Sequence, residues 1–197
     1  IVAEVAAELS SDQRSGSFFG VGADVELKPA TNIALNFELA RSVRTSEFAW
    51  ADNMVEYPID GTTFSRTVSI FAERSSEEWN LTTRGSYIFT TDLTLQVYFQ
   101  LFFAKGKYEN FHRMLASDRF APIAGHSKPD FNELAFNSNV VLRWEYLPGS
   151  TAYLVWSQSR SGERGTFRSS FGESFNNTFA LPVDNVLLLK VSYWLSM

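Results

Sequence analysis

The stretch LTLQVYFQLFFA (residues 93–104) decides the fold. Its odd positions, Leu93, Leu95, Val97, Phe99, Leu101 and Phe103, are all large and apolar, while Thr94, Gln96, Tyr98, Gln100, Phe102 and Ala104 stand between them. Side chains of a strand point alternately to its two faces, so this pattern predicts a strand with one oily side and one side rich in amide and hydroxyl groups. A sheet in water buries such a side against a second layer. A strand in a membrane turns it to lipid.

The same period recurs along the chain, and helical period is almost nowhere. Ala3, Val5, Ala7 and Leu9 alternate with Glu4, Ala6 and Glu8; Val21, Ala23, Val25 and Leu27 alternate with Gly22, Asp24, Glu26 and Lys28. Further on, Ile33, Leu35, Phe37 and Leu39 oppose Ala34, Asn36, Glu38 and Ala40, and Trp79, Leu81, Tyr87 and Phe89 oppose Asn80, Thr82, Arg84 and Ser86. Past 93–104, Val140, Leu142, Trp144 and Tyr146 oppose Asn139, Arg143 and Glu145; Leu154 and Trp156 face out with them. Last come Leu187, Leu189, Val191, Tyr193 and Leu195, with Lys190 on the other side. At the usual barrel-strand length of ~9–11 residues this predicts about eight antiparallel strands in one domain, 1–197.

The connections sort into two classes. KPAT (28–31), TTDL (90–93) and LPGS (147–150) are tight, with the Pro, Gly and Asp that turns demand. The alternate connections are the short SDQRSG (11–16), an extended arm pair around Pro58 and Gly61, and two long polar loops near 106–135 and 161–183. Within the first loop, ENFHRMLA (109–116) is expected to form a helical turn or two across the barrel mouth. Tight turns at one end and long loops at the other are the habit of outer-membrane barrels.

Composition narrows the classes. Hydrophobic residues make up 45%, with 18 Phe, yet no apolar run approaches the ~18 residues of a spanning helix. The mean hydropathy of -0.12 says nothing against a barrel, whose two faces cancel in any window. The absence of Cys excludes disulfides and thiolate metal sites. A net charge of -5 argues against nucleic acid as a partner. Residue 1 already stands in strand phase, which reads as a processed chain or a fragment.

Nearly every strand keeps one apolar face, and no helix is available to cover the sheet. The opposite faces carry Glu4, Glu8, Asp24, Glu26, Lys28, Glu38, Arg84, Arg143, Glu145 and Lys190, which suit a wet lumen and would be costly in lipid. In a closed eight-stranded barrel they would form a buried ion network; in a wider barrel they would line water. Leu93, Leu95, Val97, Phe99, Leu101, Phe103, Leu187, Leu189 and Val191 are expected to face lipid. Tyr87, Phe89, Trp144, Tyr146 and Tyr193 fall near the tight-turn strand ends, where an aromatic girdle is expected. The terminal alternation through Leu195 is similar to the strand signal read by the outer-membrane assembly machinery, although that signal usually ends on an aromatic residue.

RGSYIFTTDLTLQVYFQLFFAKGKYENF, FNSNVVLRWEYLPGSTAYLVWSQSRSG and DNVLLLKVSYWL resemble the C-terminal barrel region of a large, poorly characterised group of bacterial outer-membrane proteins. Those proteins carry an N-terminal domain similar to family 9 carbohydrate-binding modules. The resemblance runs from about Leu35 to the end and is most specific at the Trp–Pro–Gly hairpin, 144–149. It implies that these residues are the last part of a larger barrel. It transfers neither carbohydrate binding, whose domain is missing here, nor a catalytic motif.

His112 and His126, near Asp118 and Asp130 in the long loop, lack the ordered ligand spacing of a metal site. A barrel-embedded hydrolase would need a nucleophile with a base in reach, and no histidine is expected on a strand. The chain is therefore expected to be no enzyme and to need no cofactor. The expected function is a passive, porin-like channel or a scaffold in the bacterial outer membrane, with long extracellular loops. Its partners would be outer-membrane lipid, the assembly machinery and further strands or subunits. A soluble ligand-binding barrel is the rival reading, and a hydrolase a more distant one.

Overall fold

A computed structural model describes residues 1–12, 16–56 and 65–195. The chain folds as a single antiparallel sheet of nine strands: β1 (Val2–Asp12), β2 (Gly16–Ala30), β3 (Ile33–Glu56), β4 (Arg66–Ile88), β5 (Leu93–Ala116), β6 (Arg119–Pro122), β7 (Phe131–Leu147), β8 (Ser150–Glu163) and β9 (Asp184–Ser192). One helix, α1 (Phe171–Phe179), precedes β9. Neighbours follow chain order, β1-β2-β3-β4-β5-β7-β8-β9, so the topology is up-and-down. The short β6 pairs with the far end of β5 at 112–116, beyond the stretch 93–106 that pairs with β7. Among the described residues the sheet does not close: β1 pairs only with β2, and β9 only with β8.

Register keeps the two faces continuous from edge to edge. Val5 lies opposite Ala23, Ala23 opposite Leu39, Leu39 opposite Leu81, Leu81 opposite Leu101, and Leu101 opposite Phe136. Val97 sits between Gly85 and Val140, and Val140 pairs with Trp156, which pairs with Leu187. A slip of one residue in any pair would move a whole apolar set to the wrong side.

Three expectations change. The stretch 109–116 is not helical, because β5 runs on through it to Ala116, and the expected loop 106–135 holds the β5–β6 hairpin and the start of β7. The expected loop 161–183 contains α1. The strands are also longer than expected, at 24, 23 and 24 residues for β3, β4 and β5. These exceed the ~9–11 residues usual for a barrel strand, and their distal halves depart from a simple two-face alternation where Phe48, Phe71 and Phe120 pack together beside buried Ala51, Val68, Ile70 and Ala72. The expected arm around Pro58 and Gly61 lies outside the described residues.

Burial is sparse and split. Leu101, Phe103 and Leu134 form one buried cluster, packed by Trp79, Leu81, Phe136 and Leu181. Ala51, Val68, Ile70 and Ala72 are buried in the distal parts of β3 and β4. Nearby, Phe48 packs on Phe71, Phe120 and His112, with ring centroids 4.9–5.6 Å apart.

Candidate functional site

The candidate site is the pair of sheet faces. On the apolar face, β5 presents Leu93, Leu95, Val97, Phe99, Leu101 and Phe103, and β9 presents Leu187, Leu189 and Val191. The β9 residues are the more open, 71% for Leu187 and 69% for Leu189, because nothing pairs beyond them. Above Phe103 the face turns polar at one level. Arg41, Glu77 and Lys105 meet there, with Glu77 2.9 Å from Arg41 and 3.0 Å from Lys105, and the Trp79 indole donates to Glu77 at 2.9 Å. Asn132 and Arg160 continue this border on β7 and β8. Ten residue steps from Leu93 to Phe103 rise about 34 Å, or about 24 Å along the normal for a strand tilted ~45°.

At the opposite, tight-turn end, Tyr87 and Phe89 stack edge to face at 4.4 Å, and Trp144 lies 5.9 Å from Tyr146. The Tyr146 hydroxyl donates to the Ser192 carbonyl at 3.0 Å, which brings exposed Tyr193 to the same end. Trp194, which the alternation did not single out, packs beside Gly149; a Cβ on that glycine would sit 3.2 Å from the indole side chain.

Two positions expected to face lipid are covered by protein instead. Leu101 and Phe103 are 7% and 2% exposed, because the strap 164–183 folds back over the upper end of the apolar face. Phe171 packs on Trp79 and Phe103 at 5.2 and 5.3 Å, and Phe179 packs on Phe136 at 5.1 Å. Lys105 donates to the Ser169 carbonyl, Asn132 to Ser174 Oγ and the Arg164 carbonyl, and Arg160 to the Phe179 and Leu181 carbonyls. Helix α1 opens with a capping box: Ser170 N–H donates to Glu173 at 2.7 Å, and Glu173 N–H donates to Ser170 Oγ at 3.2 Å. The backbone bond from Ser170 holds the Glu173 carboxyl below the usual carboxylate range.

The polar face has an acidic half and an amide half. Glu4 lies opposite Asp24, and Asp24 opposite Glu38, so like charges stand side by side across three strands. Arg84 pairs with Glu38, Lys28 with Glu26 at 2.7 Å, and Asn36 donates to Asp24 at 2.8 Å. Register adds Glu8 and, beyond the residues singled out above, Glu78 and Arg44. Across the sheet, Tyr98 donates to Gln100 at 3.1 Å and Gln100 to Asn80 at 3.2 Å, and Arg84 lies over the Tyr98 ring. Arg143 pairs with Glu145 at 2.9 Å, while Lys190 lies opposite Tyr153 on the edge strand. A hollow of about 370 Å³ opens between Glu26, Asn36, Arg84, Gln96, Tyr98 and Asn139, and another of about 360 Å³ between Glu4, Asp24, Glu38 and Asn80.

The histidines stay apart. His112 lies on β5, its Nδ1 2.7 Å from the Asn110 carbonyl, and His126 packs against Phe111. Among the described residues no group of His, Asp and Glu side chains could hold a metal ion. Beyond the apolar band, Glu56 accepts from Arg66 at 2.8 Å and from Arg113 at 3.2 Å, and the Arg66 bond first of all holds its carboxyl below the usual range.

A family model described as a domain of unknown function, DUF5916, matches residues 3–197, and the chain belongs to that family. No curated protein and no solved structure matches it.

Proposed function

We propose that this member of the DUF5916 family is a section of the wall of a transmembrane β-barrel in a bacterial outer membrane, with its polar face lining a water-filled passage. One observation carries the reading: the sheet is a single layer that keeps one continuous apolar face from β1 to β9, and α1 covers only the upper end of it, while the opposite face is polar apart from Phe18, Phe102 and the row Val141, Val155 and Leu188 toward the β9 edge. A folded domain of this length in water encloses a substantial core. Here that role falls to lipid. The apolar face rises about 24 Å from Leu93 to Phe103, its top covered on β5 by α1, which presents its own phenylalanines there, and this height is close to the ~25 Å band of outer-membrane barrels. Aromatic rings at its lower end and charged or amide groups at its upper end are the groups expected at two interfaces, and they support the reading.

The passage is wide rather than filled. The free edges of β1 and β9 call for further strands or subunits, since an unpaired edge presents a row of open backbone groups. The adjacent carboxylates Glu4, Asp24 and Glu38 would repel at close quarters across the pair, and water relieves that repulsion. With Glu38 paired to Arg84 and Glu26 to Lys28, the surplus acid lies on β1 and β2. Such a wall favours cations and neutral polar solutes over anions.

Membrane fractionation and planar-bilayer recording of the intact protein test the proposal. It predicts recovery with outer-membrane fractions, a need for detergent, and a conductance that prefers cations. Recovery as a monomer in detergent-free buffer contradicts the membrane reading and favours the soluble ligand-binding barrel. A clear anion preference, or no conductance, contradicts the open passage and leaves a scaffold.

A further inference from the structure

We infer that α1 is an interfacial element, seated on the outside of the barrel at the lipid headgroup level with its phenylalanines in the acyl boundary. The inference rests on the membrane reading above and places a segment that the reading itself leaves unexplained. Helix α1 docks on the apolar face, not the polar one: Phe171 touches Trp79 and Phe103, and Phe179 touches Phe136. Ser174 and Thr178, nearly fully buried, turn toward the sheet. The three phenylalanines recur every fourth residue, so they form one stripe beside that seam. Each keeps 41–42% of its surface exposed, and among the described residues Phe175 has only Phe179 as an aromatic neighbour. In water this stripe would be an unpaid apolar patch continuous with the sheet face.

The level is fixed by what holds the strap. Lys105 and Asn132, which anchor it, are the residues at which the apolar band ends. Arg164 and Arg168, just before the helix, are exposed and form no ion pair among the described residues. Apolar rings lie below, and the exposed arginines follow a backbone that the Arg164 and Ser169 carbonyls hold at Asn132 and Lys105, an arrangement that suits a headgroup–acyl boundary with its phosphates. The occupant that fits is therefore an anionic lipid surface.

The chain has no native cysteine, so single labels report these positions once any cysteine elsewhere in the intact protein is replaced. Nitroxide labels at Phe175→Cys, Val97→Cys and Asp118→Cys would be compared in the intact protein in phosphatidylcholine–phosphatidylglycerol vesicles. Collisions with oxygen report lipid, and collisions with a water-soluble nickel chelate report water. The inference predicts that Val97→Cys favours oxygen strongly, Asp118→Cys favours nickel, and Phe175→Cys favours oxygen at a shallower depth than Val97→Cys. If Val97→Cys is deep while Phe175→Cys matches Asp118→Cys, the seating of α1 is wrong and the barrel stands. If Phe175→Cys is shielded from both probes, protein covers the stripe and lipid contact is refuted. If Val97→Cys favours nickel, the membrane reading fails and takes this inference with it.

Discussion

Val97→Arg is the substitution that separates lipid from water most sharply. Val97 lies four residues above Leu93, about 10 Å along the normal for a tilted strand, and the centre of the apolar band lies about 12 Å above Leu93. An arginine there stands within a few ångströms of the midplane, where it costs about 2–4 kcal/mol, or roughly 30- to 700-fold in the folding equilibrium. Part of the loss is local, because the Val97 methyl fills the space over Gly85. Gln96 points the other way, into the hollow with Arg84 and Asn139, and Gln96→Arg should cost far less. Leu93→Arg, on the same face as Val97 but at the interface, should cost only about 0–1 kcal/mol. Denaturant titrations of folding into lipid vesicles measure all three. Equal costs at 96 and 97, or no gradient from 93 to 97, would refute the face assignment.

Gly85→Ala should destabilise by about 1–3 kcal/mol, since its Cβ would sit 2.8 Å from the stiff Val97 side chain, and Val97→Ala should restore part of the loss in a double-mutant cycle. Ser170→Ala should cost α1 about 1 kcal/mol and raise hydrogen exchange across 171–179 without loosening β5. The Glu56 carboxyl is held low by Arg66, so its stabilising effect is complete above the ordinary value of about 4.3 and disappears as pH falls through the lower folded value. Exchange in the distal parts of β3 and β4 should therefore rise at acid pH, and Glu56→Gln should remove that step. In the intact pore, Glu4→Gln with Asp24→Asn should lower the cation preference measured by reversal potential, whereas Arg84→Gln should raise it.

The halves of the strands nearer the tight turns were legible because their two faces differ in polarity along most of the sheet. Alternation in 33–39 and 93–103 specifies both face and register, the face of β9 rests on Lys190 alone because Val186–Leu189 is apolar throughout, and the hairpin at 147–150 is legible from Pro148 and Gly149. The distal halves were not legible as strands. In 109–116 and 66–78, apolar and polar residues mix on both faces, since those parts of β5 and β4 pack, with β3, around a small core of their own. The helix carried a readable signal inside an apparent loop. Ser170 and Glu173 have the capping-box spacing, and Phe171, Phe175 and Phe179 keep a helical period. Glu78 and Arg44 extend the polar face by continuing the same alternation, and register places them there, opposite Ser42 and Ser76.

A thiol-accessibility scan from residue 95 to 100 in native membranes tests the two-faced sheet most directly. Each position would be changed to cysteine in turn in the intact protein, which has no cysteine of its own along this chain. A small, water-soluble, charged maleimide should then modify Gln96→Cys, Tyr98→Cys and Gln100→Cys, and leave Leu95→Cys, Val97→Cys and Phe99→Cys unmodified until detergent is added. Modification of both sets at similar rates, or of the odd positions alone, would contradict the account.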